Sequence, residues 1–164
     1  MNVALIGMPL GGKTSVARAL SRLTGAECYD TDGKISEKYG AISDIFAQYG
    51  EEAFRNLETE ELKKACALKN VIISTGGGCV LRSENITLLK TGGKIVYLRA
   101  ELKTLLSRIN GDTSRPLLSG GAEDKIKKLF ADRTPLYERA ADIVIDTDGL
   151  SPEEIARSIA ELIK

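Results

Sequence analysis

Gly7-Met8-Pro9-Leu10-Gly11-Gly12-Lys13-Thr14 is the stretch from which the rest of the chain is read. It fits the phosphate-loop pattern G-x-x-x-x-G-K-[ST]. Its setting says more than the pattern does. Val3-Ala4-Leu5-Ile6 comes just before, short and apolar, suited to a buried strand. Val16, Ala17, Leu20 and Leu23 come just after, spaced to put an apolar stripe on one helix face. Between strand and helix, glycines let the backbone turn tightly, so that several N–H groups converge on one anion. The helix N-terminus adds its partial positive charge. In such a loop Lys13 reaches the β- and γ-phosphates of a nucleotide and Thr14 offers a hydroxyl to Mg²⁺, with Gly7, Gly11, Gly12 and Ser15 as further ATP contacts. The bland alternative is a glycine-rich strand-to-helix turn carrying a solvated lysine.

Strands and helices alternate outward from that loop. Short apolar strands are expected at 2–6, 27–30, 71–74, 95–98 and 143–145. Helices are expected at about 13–24, 33–39, 43–49, 51–68, 82–90, 101–109 and 123–140, with Gly40 and Gly50 as breaks. A last helix starts at Ser151, a natural N-cap, with Pro152 at its first position and Glu153 and Glu154 in its first turn. Alternation of this kind predicts an α/β fold: a five-stranded parallel sheet with helices on both faces, the three-layer P-loop kinase type. Ligands then sit at the carboxyl ends of the strands, which selects Gly7–Thr14, Asp30–Asp32 and Ser74–Gly78. Residues 110–121, with Gly111, Pro116, Gly120 and Gly121, break the pattern and read as a mobile lid. No linker or repeat divides residues 1–164, so one domain is expected, with an acceptor-binding helical segment at about 33–60.

Composition narrows the function. Lys and Arg total 23, as do Asp and Glu, and this balance gives no basis for a nucleic-acid or anionic-membrane partner. No apolar run approaches a membrane span, and no charged leader opens the chain, so a cytoplasmic protein is expected. Cys28, Cys66 and Cys79 lack metal-ligand spacing and read as free thiols, chiefly small core residues. Histidine is absent, so the chemistry falls to carboxylates, lysine, arginine, hydroxyls and backbone, a list suited to magnesium-assisted phosphoryl transfer.

Asp30-Thr31-Asp32 ends the second strand, while the third ends in Ser74 rather than an acid. Asp30 is therefore the best-placed carboxylate for Mg²⁺, and Asp32 is placed to take or orient an acceptor's hydroxyl proton. The competing reading of Asp32 is a cap for the helix near Gly33. Gly76-Gly77-Gly78 offers backbone that a ligand can approach closely. Arg55 reads first as a surface residue paired with Glu51 or Glu58, and Arg133 has the same bland reading. Arg115, on the lid, is placed to meet transferring phosphate charge.

Taken together and in this order, Gly7–Thr14, Asp30-Thr31-Asp32, Gly50-Glu51-Glu52-Ala53-Phe54-Arg55, Gly76-Gly77-Gly78, Arg115-Pro116-Leu117-Leu118 and Arg133-Thr134-Pro135-Leu136-Tyr137 resemble shikimate kinase, of the nucleoside-monophosphate-kinase-like P-loop group. The resemblance spans essentially the whole chain. It implies ATP-dependent phosphorylation of the shikimate 3-hydroxyl, on the route to chorismate and the aromatic amino acids, by a monomer. It implies that Asp30 holds Mg²⁺ through water and that Asp32 bonds the reacting hydroxyl. Arg55 and Arg133 clamp the shikimate carboxylate, and Gly76, Gly77 and Gly78 line that pocket. Arg115 touches the transferring phosphate, Arg108 packs on adenine, and the segment around Thr147–Pro152 completes the adenine site. The family's loop commonly has glycine where this chain has Leu10, which predicts a different backbone angle there, and with it a changed loop shape or nucleotide affinity. Two alternatives stand beside this: another small-molecule kinase such as gluconate kinase, and a non-catalytic nucleotide-binding regulatory module, which Leu10 alone favours.

Overall fold

The computed structural model describes residues 1–109 and 121–164. Among these, five strands form one sheet: β1 (Asn2–Ile6), β2 (Glu27–Asp30), β3 (Val71–Ser74), β4 (Gly93–Arg99) and β5 (Ile143–Asp146). Their order is β2-β3-β1-β4-β5, and every pairing is parallel. The helices are α1 (Lys13–Thr24), α2 (Thr31–Tyr39), α3 (Ile42–Ala67), α4 (Ser83–Gly92), α5 (Leu102–Ser107), α6 (Ala122–Ala140) and α7 (Pro152–Leu162), with a 3₁₀ turn at Cys79–Leu81.

The period-2 alternation of strand side chains divides the core into two layers. Val3 and Leu5 of β1, Ile72 of β3, Val96 and Leu98 of β4 and Ile145 of β5 pack with the apolar stripes of α1 and α7. Ala4, Ile6, Val71, Ile73, Ile95 and Tyr97 point the other way, into a core shared with Leu62 of α3, Leu89 of α4, Leu105 of α5 and Tyr137 of α6. Leu5, Ile6, Ile73 and Ile95 are essentially unexposed, and each such side chain contributes about 1.5–3 kcal/mol. A third, small cluster of Ile35, Ile45 and Phe54 gives the α2–α3 segment a core of its own. Burial raises the pKa of all three cysteine thiols, so they stay protonated and serve as packing.

Three boundaries differ from the sequence expectation. The segments expected at 43–49 and 51–68 run together as α3, kinked at Gly50, whose φ of 86° suits glycine. Helix α2 starts two residues early because Asp30 caps it. The helix expected at 82–90 runs on to Gly92, and α4 passes straight into β4. A side chain at Gly93 would collide with the Asn2 carbonyl, so the residue there has to be glycine. The final helix carries the expected cap, completed as a capping box between Ser151 and Glu154. Among the described residues no helix is long and apolar enough to cross a membrane.

Candidate active site

The strand register assembles the site. Ser74 of β3 lies opposite both Leu5 of β1 and Asp30 of β2. The carboxyl ends of three strands therefore form one row, and the phosphate loop, Asp30–Asp32 and Ser74–Gly78 all leave from it. Thr75 locks the row by donating to the Leu5 carbonyl through both its backbone N–H (3.3 Å) and its hydroxyl (2.8 Å).

The phosphate loop turns at Met8-Pro9-Leu10-Gly11, closed by the Gly11 N–H on the Met8 carbonyl at 3.0 Å. Proline at the second place and positive φ at the third are the marks of a type II turn. Leu10 fills that third place with φ 69°, in the left-handed region, at a cost of about 1–2 kcal/mol for an L-residue. Leucine thus takes a backbone angle that glycine adopts freely, and the loop holds strain at this place. Two contacts hold it there. The Leu10 side chain packs on the core, and its carbonyl accepts from Arg108 Nη1 at 2.8 Å. Lys13 is buried and curls under the loop, its Nζ donating to the Gly7 and Met8 carbonyls at 2.8 Å each.

Thr14 Oγ1 lies 3.5 Å from Ser74 Oγ at the end of β3. Asp30 caps α2, accepting from the Gly33 N–H at 3.2 Å, so the capping role considered for Asp32 belongs to Asp30. Asp32 follows in the first turn of α2. A cavity of about 430 Å³ opens here, lined by Lys13, Thr14, Asp30, Asp32, Thr75, Arg108, Thr147 and Pro152. Gly11, Gly12 and Ser15 of the loop also face it. No cluster of three or more Cys, Asp or Glu that could cage a metal occurs among the described residues. The donors on hand are a hydroxyl and two carboxylates, hard oxygen ligands of the number Mg²⁺ takes from a protein when phosphates and water supply the rest.

Behind Asp32 stands a buried charge cluster. Arg55 of α3 and Arg133 of α6 are 6% and 4% exposed, so neither is the solvated surface residue of the bland reading. Arg55 is gripped by Glu58 (3.2 Å) and Glu51 (3.1 Å), while its Nε finds no partner. Glu58 is wholly buried and one of its oxygens, Oε2, is also unpartnered. Burial pushes its carboxyl up to about 6, with Asp32 adding to the rise and Arg55 and Arg133 opposing it. A side chain at Gly76 would meet Glu58 Oε2 at 2.7 Å and Asp32 Oδ1 at 2.8 Å. One at Gly78 would enter the Arg55 guanidinium. Bare backbone is what allows Asp32, Glu58 and Arg55 to crowd together. Arg115 and the rest of the lid segment at 110–120 lie outside the described residues.

Known proteins share this fold and much of this sequence. The family model for shikimate kinase matches residues 11–164. A shikimate kinase of Thermodesulfovibrio yellowstonii is 44% identical over 160 residues, covering 96% of this chain and 92% of that one. One from Moorella thermoacetica is 42% identical over 164 residues, covering 99% and 94%. This chain belongs to the shikimate kinase family. The solved shikimate kinase from Acinetobacter baumannii in complex with shikimate superposes with a TM-score of 0.95 at 36% identity, covering 99% of this chain and 92% of that one. The likeness spans the sheet and both helical layers.

Within this shikimate kinase fold, sequence reasoning missed Glu58 as a site residue. Its signal was present, as the partner of Arg55 three residues on, but was read as a surface pair. Glu58 gives the cluster a pH dependence. Its carboxyl rises from an ordinary 4.5 to about 6 on folding, so the folded state binds the extra proton between those values. The stability Glu58 contributes is present below pH 4.5 and is lost as the pH rises through 6, by about 2 kcal/mol in all. The difference in unfolding free energy between the wild type and Glu58→Gln is expected to fall by that amount from pH 4.5 to pH 7, measured by urea titration at each pH. A flat difference would remove the burial argument.

Tyr137 is a second such residue. It is fully buried, its hydroxyl donates to the Gly77 carbonyl at 2.5 Å, and its ring packs on Tyr97 at 5.1 Å. Tyr137→Phe keeps the packing and orphans that carbonyl. A loss of about 1–3 kcal/mol of unfolding free energy is expected in chemical denaturation.

Proposed function

We propose that this chain transfers the γ-phosphoryl group of ATP to the 3-hydroxyl of shikimate. The single observation that carries the substrate is the buried pair Arg55 and Arg133, both bearing on the Glu58 carboxyl together with Asp32, which lines the cavity, in a chain of this family. Buried guanidiniums call for an anion, and a planar fork suits a carboxylate. Shikimate carries one carboxylate to anchor and one ring hydroxyl to present.

Each residue then has a task. Lys13 exchanges the Gly7 and Met8 carbonyls for phosphate oxygens. Gly7, Gly11, Gly12, Thr14 and Ser15 shape the cradle around them. Thr14 and, through water, Asp30 would hold Mg²⁺, which would supply charge neutralisation for the transferring group. Asp32 accepts or orients the proton of the 3-hydroxyl. Arg55 and Arg133 fix the carboxylate, and Gly76–Gly78 leave room for the ring. Arg108 and the Thr147–Pro152 turn receive the adenine. For the lid the sequence assigns Arg115 to the transferring phosphate. Catalysis of this kind is positioning plus charge stabilisation rather than covalent chemistry. Balanced charge and the family resemblance support a monomer. The free cysteines suit a reducing cytoplasm.

The test is a coupled ADP-release assay with shikimate, gluconate and nucleoside monophosphates offered side by side. Turnover is expected with shikimate. Turnover confined to one of the others would overturn the assignment.

A further inference from the structure

We propose that Asp148 is a positioning residue of the nucleotide site, holding α5 at one end so that Arg108 meets the phosphate loop at the other. The proposal rests on the ATP-dependent reading above. Asp148 lies in the turn between β5 and α7, beside Thr147 and two residues before Leu150, both of which line the nucleotide cavity. Its side chain leaves that turn for α5. Oδ1 accepts from Thr104 Oγ1 at 2.6 Å, and Oδ2 accepts from the Glu101 N–H at 3.0 Å. Glu101 is the N-cap of α5 and makes no cap with its own side chain. The carboxylate that satisfies this helix start therefore comes from 47 residues along the chain.

The far end of α5 is tied as well. Arg108 is its C-cap, and Arg108 Nη1 donates to the Leu10 carbonyl at 2.8 Å. Between the two ends only Leu105 is fully buried. A helix of six residues is too short to hold itself and spans only about 9 Å. Leu102, Leu106 and Ile109 pack partly against the core beside Leu105 and fix which face of α5 turns inward, while the polar contacts at its two ends fix where the helix lies along that face. Moving the Asp148 end then moves Arg108, and with it the carbonyl of a residue already held at φ 69°. The chain of contacts runs from the β5–α7 turn through Asp148, α5 and Arg108 to Leu10. It joins the turn that carries Thr147 and Leu150 to Leu10 of the phosphate loop, all of which line the cavity, so Asp148 sets the separation of these walls without lining the cavity itself.

Asp148→Ala and Thr104→Val test this in the full-length chain. The second removes only the 2.6 Å bond and keeps the side-chain shape. The measurements are KM for ATP and for shikimate, kcat, the Kd for ADP by calorimetry, and the melting temperature. For Asp148→Ala, KM for ATP and Kd for ADP are expected to rise about five- to tenfold, the scale of one or two lost hydrogen bonds. KM for shikimate and kcat at saturating ATP stay within about twofold. Thr104→Val shifts the same two constants by a smaller factor, and it decides the matter if the alanine variant does not fold. A lowered melting temperature with unchanged ADP affinity would mean that Asp148 is structural only, and equal rises in both KM values would mean a general loosening. Either result overturns the proposal. If the wild type phosphorylates no shikimate, the functional reading fails while the ADP titrations still decide this one.

Discussion

Replacing Lys13 with alanine lowers kcat/KM by about 3–5 kcal/mol of transition-state stabilisation, roughly two to four orders of magnitude. The lysine is 6% exposed, and its ammonium already sits among acceptors at the base of the loop. Moving it from the Gly7 and Met8 carbonyls to phosphate oxygens replaces neutral acceptors with charged ones, at little reorganisation. As negative charge shifts on the transferring group, the ammonium follows it inside a water-poor cavity, where electrostatic terms are strongest. The same substitution removes two bonds that brace the ligand-free loop, so some loss of melting temperature accompanies it. Steady-state kinetics at saturating shikimate separate the two effects. Loss of bracing alone weakens ATP binding, whereas loss of charge stabilisation lowers kcat at saturating ATP. A fall of less than tenfold in kcat/KM would show that the loop's N–H groups bear the charge and that Lys13 serves the fold.

The sheet was legible because its physics is local. A buried parallel strand is a short apolar run, and a glycine loop before an apolar-striped helix has few other meanings. The two-faced core follows from the same alternation: Val3 and Leu5 went one way, Ala4 and Ile6 the other. The nucleotide half of the site was readable for the same reason, since Lys13 and Thr14 open α1 directly after the glycine loop and Asp30 ends β2. The acceptor half was not legible from spacing. A glutamate three residues after an arginine on a helix is ordinarily a solvated pair. Only the third dimension lays Gly76–Gly78 over that helix face and takes Glu58 out of water. Without the family resemblance, Arg55 and Arg133 would have stayed surface residues. Leu10 failed in another way. Propensity argues that leucine avoids left-handed backbone, but the turn at Pro9 together with core packing and the Arg108 bond overrides it. Asp148 carried no signal at all, because its partners lie on another helix.

Gly78→Ala raises KM for shikimate by about 30- to 1,000-fold, the equivalent of about 2–4 kcal/mol. At φ −98° and ψ 6° the backbone at Gly78 accepts alanine without strain, so the effect is one of space. The added methyl falls within the Arg55 guanidinium, the far end of a flexible side chain that can swing aside. The swing is cheap in steric terms. It is costly for function, because Glu51 and Glu58 hold the guanidinium where the acceptor's carboxylate is expected, and a displaced fork no longer faces its anion. Gly77→Ala is the control. There the methyl meets the Pro9 ring at 2.8 Å and its backbone nitrogen at 3.2 Å, next to a carbonyl that Tyr137 already occupies. Neither the ring nor the phosphate loop behind it can yield freely, so Gly77→Ala is expected to lower unfolding free energy by about 1–3 kcal/mol and to disturb KM for ATP. Adjacent glycines thus separate into one kept for the acceptor and one kept for the loop. Melting temperatures and the two KM values for each variant check the division. If Gly78→Ala left KM for shikimate within threefold of wild type, Arg55 would lose its place at the acceptor, and Arg133 alone would have to hold the carboxylate.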